Sequence, residues 1–163
     1  EAEYAWTAQF IEEYTAYLET DIREDFKTMA LASLSFYQAD FEKTIELSAT
    51  HHFSNLLLQM HTRILLVKAW FEQFLQEEDC YDLLIYQVDA MDKFIRRSKV
   101  ISGFKVEENL NFLLVIRLLA TFIANKKPAP EIRNRLEKHL NAGQRIVSRD
   151  WIELKIAQYQ NKR

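Results

Sequence analysis

Apolar side chains recur along most of this chain at three- and four-residue steps, the period of a helix that buries one face. From Glu3 to Leu18 the step is kept by Tyr4, Ala8, Ile11, Tyr14 and Leu18. Thr20 or Asp21 then caps a helix that runs to about Gln38, with Glu24 three residues after Asp21 as in a capping box. Asp40 opens a third helix carrying Phe41, Ile45 and Leu47. His51-His52 breaks it, and Ser54 is the expected N-cap of a long helix to about Leu75.

The pattern continues past the polar segment Gln76-Glu77-Glu78-Asp79. A helix spans about Cys80 to Arg97, with Arg96, Arg97 and Lys99 at the end where cations suit the helix dipole. Ser102-Gly103 marks a turn, and Val106 to about Asn125 reads as a helix buried on more than one face. Lys126-Lys127-Pro128-Ala129-Pro130 is the clearest breaker, with Pro130 suited to a first helical turn. The next helix ends near Gly143, a residue fitted to a left-handed cap. Asp150 and Glu153 form a second capping box before the last helix, Trp151 to Tyr159. About eight helices with short connections imply antiparallel neighbours.

Composition agrees. With two glycines and two prolines, the chain lacks the turn chemistry of a many-stranded sheet, and 48 % apolar residues exclude disorder. The expected class is all-α. Cys80 stands alone, so no internal disulfide or thiol pair forms, and it reads as a small apolar filler. The longest apolar run, Phe112 to Ala124, is interrupted by Arg117 and spans no membrane. No signal peptide is visible; a chain starting at Glu1 rather than Met reads as processed or excised, and a cytoplasmic setting is the default expectation.

The net charge of −3 conceals a division. Residues 1–80 hold 15 acids and 5 Lys/Arg, a balance of −10; residues 81–163 hold 9 acids and 16 Lys/Arg, a balance of +7. These charges either solubilise each end or support association between an acidic and a basic end.

The segments Thr28 to Tyr37 and Thr62 to Phe71 repeat one helix pattern thirty-four positions apart. In the first, Leu31-Ala32 gives a large and a small residue, Phe36-Tyr37 aromatic bulk, Asp40-Phe41 the next helix start, and Thr44 a small residue facing back. This resembles the tetratricopeptide consensus, and a period near 34 residues belongs to that type of helical solenoid. The second pair keeps Leu65-Leu66 and Trp70-Phe71, departs from the pattern at Leu66, and has a longer break before Asp79-Cys80-Tyr81 and Leu83-Leu84. Across nearly its whole length the chain also resembles the C-terminal helical-repeat regions of uncharacterised proteins from Bacteroidetes-type bacteria. That likeness rests on Phe10-Ile11-Glu12-Glu13-Tyr14, Phe36 to Lys43, Arg63 to Lys68, Phe94-Ile95-Arg96-Arg97, Asn109 to Phe112 and Arg149-Asp150-Trp151. It implies a fold and no activity.

The expected architecture is therefore a short, irregular tetratricopeptide-like α-solenoid. It forms one domain over residues 1–163, with helix pairs at about 22–50 and 54–98 and capping helices at 104–163. In that register Phe26, Met29, Ser33, Tyr37, Arg63, Val67, Trp70 and Phe71 lie on or near a concave face. Tyr37, Arg63, Val67, Trp70 and Phe71 are the expected partner-binding residues, suited to a peptide or partner helix. The competing reading is that these aromatics pack between helix pairs.

Other chemistry finds little support. His51, His52 and His61 lack the spacing that sets two metal ligands on one helix face, so no metal or cofactor is expected. Neither a Gly-rich phosphate loop nor a nucleophile motif occurs, and Glu12-Glu13 and Glu77-Glu78 point apart on their helices, so no enzyme is expected. Lys126, Lys127, Arg133, Arg135, Lys138, Arg145 and Arg149 form a basic set, but interspersed Glu131 and Glu137 argue against nucleic acid. Asn111 and Arg117 form an expected buried polar contact within the stack. The expected function is a non-catalytic protein-interaction scaffold; the alternative is a self-assembly module joined through its acidic and basic ends.

Overall fold

A computed structural model describes residues 2–125, 130–141 and 143–160. Within them lie eight α-helices: α1 (Ala2–Thr15), α2 (Thr20–Tyr37), α3 (Phe41–Thr50), α4 (Leu56–Gln76), α5 (Tyr81–Arg97), α6 (Gly103–Ala124), α7 (Pro130–Asn141) and α8 (Arg149–Gln160). A single 3-10 turn, Glu78–Cys80, follows α4. Among the described residues there is no strand, and the helices pack largely on neighbours in sequence order, so the protein is an all-α, helical-repeat-like fold. The chain divides into two compact units, Glu1–Cys80 and Tyr81–Arg163. That boundary assigns α4 and α5, read from the sequence as the pair at 54–98, to different units.

In the first unit α1 packs on α2, α2 on both α3 and α4, and α3 on α4. The two segments of the thirty-four-residue echo are thus parts of helices in direct contact. Close approach of α2 and α3 depends on small residues: Ala32 and Thr44 are both fully buried. The Thr44 hydroxyl donates to the Asp40 carbonyl at 2.8 Å and lies 3.5 Å from the carbonyl of Ala32. The turn between these helices is a Schellman motif, in which Asp40 N–H reaches Ser35 O (2.9 Å) and Ala39 N–H reaches Phe36 O (3.1 Å). Ala39 occupies the left-handed position at φ 61°. Asp40 then caps α3 by accepting from Lys43 N–H at 3.1 Å, as its sequence position predicts.

Three expected caps differ. Helix α2 starts one residue early: Glu19 occupies the cap without a side-chain bond, which places Thr20 and Asp21 inside the helix. Asn55, not Ser54, caps α4, accepting from Leu57 and Leu58 N–H at 2.9 and 3.2 Å. Helix α8 begins at Arg149, so Asp150 is already helical, and Glu153 accepts from Arg149 Nε at 2.8 Å instead of closing a capping box.

In the second unit α6 is the common partner of α5, α7 and α8. The stripe Leu84, Val88, Met91 and Ile95 keeps helical spacing along α5 and is buried. Helix α6 buries Phe112, Val115, Ile116, Leu119 and Ala120, because it has neighbours on several sides. Leu136, Ile146 and Ile152 complete this core. Gly143 adopts φ 65°, the left-handed geometry expected near the end of α7.

Candidate functional site

The five expected partner-binding residues do not share a surface. Val67 and Phe71 are core residues, 1 % and 0 % exposed. A stripe at helical spacing on α4 is consumed by packing within the unit, where the Phe71 ring meets Phe74 edge-on at 6.1 Å. Arg63 and Trp70 are half-buried; burial pushes the Arg63 guanidinium below its ordinary value, and the Trp70 indole N–H is enclosed without an acceptor. Tyr37 alone is open, at 70 % exposed. Val67 and Phe71 are thus taken up in holding the unit together, and of the five only Tyr37 offers an open side chain.

The open aromatic surface lies on α1 instead. Trp6, Phe10, Tyr14 and Tyr17 stand along and just beyond this helix, and all are exposed, Trp6 at 63 % and Tyr17 at 85 %. Successive rings touch: Trp6–Phe10 at 5.3 Å, Phe10–Tyr14 stacked at 4.3 Å and Tyr14–Tyr17 at 6.0 Å. Helix α1 thus carries two apolar stripes. One, represented by buried Ile11, meets the unit; the other faces solvent. Tyr4 ties the helix down, its hydroxyl donating to the Tyr37 carbonyl at 2.9 Å. The three- and four-residue step predicted one amphipathic helix and assigned Tyr14 to its buried face; Trp6, Phe10 and Tyr17, equally periodic, were the signal of a second face.

A second cluster centres on Asp25, which is buried on α2. One carboxylate oxygen lies 2.7 Å from His51 Nε2. The other accepts from the Ser54 amide (2.8 Å), the Ser54 hydroxyl (2.7 Å) and the Asn55 amide (3.3 Å). Burial pulls this carboxyl upward, but the bonds from His51, Ser54 and Asn55 outweigh it and hold the group at about 2. Asp, His and Ser suggest nucleophilic catalysis, yet the wiring differs. Ser54 donates to the carboxylate and not to the imidazole, so His51 is not placed to take its proton. The cluster fastens the α3–α4 turn to α2. Its sequence signal was an acid on the apolar stripe of positions 25, 29, 32 and 36.

The second unit contains an open cleft of about 300 Å³ between α6, α7 and α8, lined by Leu119, Phe122, Leu136, Leu140, Ile156 and Tyr159. Arg133 and Glu137 border it and pair with each other at 2.9 Å. Asn111 and Arg117 both line a smaller cleft of about 240 Å³, but the expected buried contact between them does not form. Arg117 pairs with Asp89 on α5, and the Asn111 amide donates to the Arg145 carbonyl at 3.1 Å. Six positions separate them on α6, so each side chain meets a different neighbour. Of the basic set, Arg133 and Arg149 are engaged with Glu137 and Glu153, while Lys126 and Lys127, like Pro128 and Ala129 of the expected breaker, lie outside the described residues.

Among the described residues, no group of three His, Cys, Asp or Glu could hold a metal ion, and no helix is long and apolar enough to cross a membrane. Burial, with Glu77 and Asp79 beside it, pushes the Cys80 thiol up, which disfavours the reactive thiolate. Comparison of the chain with protein-family models, curated proteins and solved structures returns no match in any of the three.

Proposed function

We propose that this chain is a non-catalytic protein-interaction scaffold of tetratricopeptide-like type that holds a peptide or partner helix. The observation that carries the reading is the run of touching, exposed rings from Trp6 to Tyr17. Large apolar side chains scattered singly over a surface need no explanation, but a contiguous row does. Aromatic residues are also the side chains most often found as anchors at interfaces. The repeat-like type is supported by the Ala32–Thr44 approach and by the packing of α2 on α4. The binding face in this reading is the outer side of α1, not a groove along α4.

A photo-crosslinking side chain at Phe10 or Tyr14 tests the reading in cells that produce the protein, against a control at exposed Leu83. A discrete adduct from the α1 positions and none from Leu83 is expected. The same adducts from all three positions, or none from α1, would overturn it.

A further inference from the structure

We infer that the aromatic face of α1 docks a cationic amphipathic helix, a segment whose apolar stripe is flanked by Arg or Lys. The inference rests on reading this face as a docking surface and adds the chemistry of its partner. Two acids share the face. Glu3 precedes Trp6 by three residues and Phe10 by seven; Glu13 follows Phe10 by three and precedes Tyr17 by four. Neither is neutralised by a cation among the described residues, and Glu13 accepts only from Gln9, at 2.7 Å. The neighbouring Glu12 differs, its carboxylate bound by Lys27 at 2.7 Å. The face therefore offers ring surfaces and unspent negative charge together.

Both features select one kind of partner. Ring faces attract guanidinium and ammonium groups, Trp most strongly, while carboxylates pair with the same cations at the rim. From Trp6 to Tyr14 the row covers about 12 Å at the rise of a helix, and Tyr17 extends it in the turn beyond, enough for at least two turns of a second helix laid alongside. The acidic balance of residues 1–80, −10, repels an identical face on another copy, as well as phosphate-bearing surfaces.

The test uses the full chain and two labelled synthetic helices, one with a leucine stripe flanked by arginines and one with glutamates in their place. The arginine helix should bind, shifting the amide resonances of α1. Trp6→Ala with Tyr17→Ala, and separately Glu3→Gln with Glu13→Gln, should each weaken it by about tenfold or more. These side chains are exposed, and circular dichroism confirms that each variant stays folded. Unchanged binding in either variant, or resonance shifts confined to other helices, overturns the inference. Equal, ring-dependent binding of the glutamate helix also overturns it while leaving α1 a docking face. Loss of both, with no adduct from Phe10 or Tyr14, removes the docking reading itself.

Discussion

Asp25 and His51 meet at 2.7 Å across twenty-six positions of sequence, joining the N-terminal third of α2 to the turn before α4. The carboxylate also holds Ser54 and Asn55, so one acid organises the whole connection.

Acid should dismantle this arrangement in a defined range. The carboxyl ionises at about 2 in the folded chain against an ordinary 3.8, so its contribution is complete above roughly pH 4 and is lost as the pH falls through about 2. Asp25→Asn should cost about 2 kcal/mol at neutral pH, and the gap from the parent should close toward pH 2. Urea unfolding at several pH values measures both. A variant as stable as the parent at pH 7 would contradict it.

Ala39→Gly should stabilise the first unit. The left-handed backbone at φ 61° is strained for alanine and free for glycine, and the Schellman bonds remain. The expected gain is about 0.5–1 kcal/mol, read as a higher urea midpoint with unchanged slope.

Ending the chain after Asn125 should cause aggregation. It removes Leu136, Ile146 and Ile152 from the core around α6 and leaves the apolar surface of Leu119 and Phe122 bare. Light scattering reads the outcome; a soluble truncation that melts cooperatively would show that α6 needs no cover from α7 and α8.

Arg117→Ala and Asn111→Ala should each move stability little. The Arg117–Asp89 pair is partly exposed on both sides, and the Asn111 bond is exposed. Contacts of that kind contribute about 1 kcal/mol or less, so each Tm should fall by no more than a few degrees. A larger loss would mean that one of these side chains is enclosed.

Local signals were legible and distant ones were not. Asp40 could be read as a cap because its acceptor role is completed by Lys43, three residues on. Ser54 could not be told from Asn55, since what removes Ser54 from capping is Asp25, twenty-nine positions away. The helical class and the many-sided burial of α6 followed from periodicity and composition. Which face of a periodic helix stays open did not: Val67 and Phe71 on α4 resemble Trp6 and Phe10 on α1 in spacing and chemistry, yet packing encloses the first pair and leaves the second in water. Exposure is decided by the neighbouring helices, which no single segment encodes.

The break between the compact units, after Cys80, is also the point where the charge balance turns from −10 to +7. A single backbone cut at that point would therefore yield two pieces of similar length that migrate toward opposite electrodes at neutral pH. Whatever each half attracts from its surroundings, ions, peptides or other chains, is set by opposite fields. The modest net charge of the 163-residue chain is a cancellation between two bodies of opposite net charge, and not a property of either.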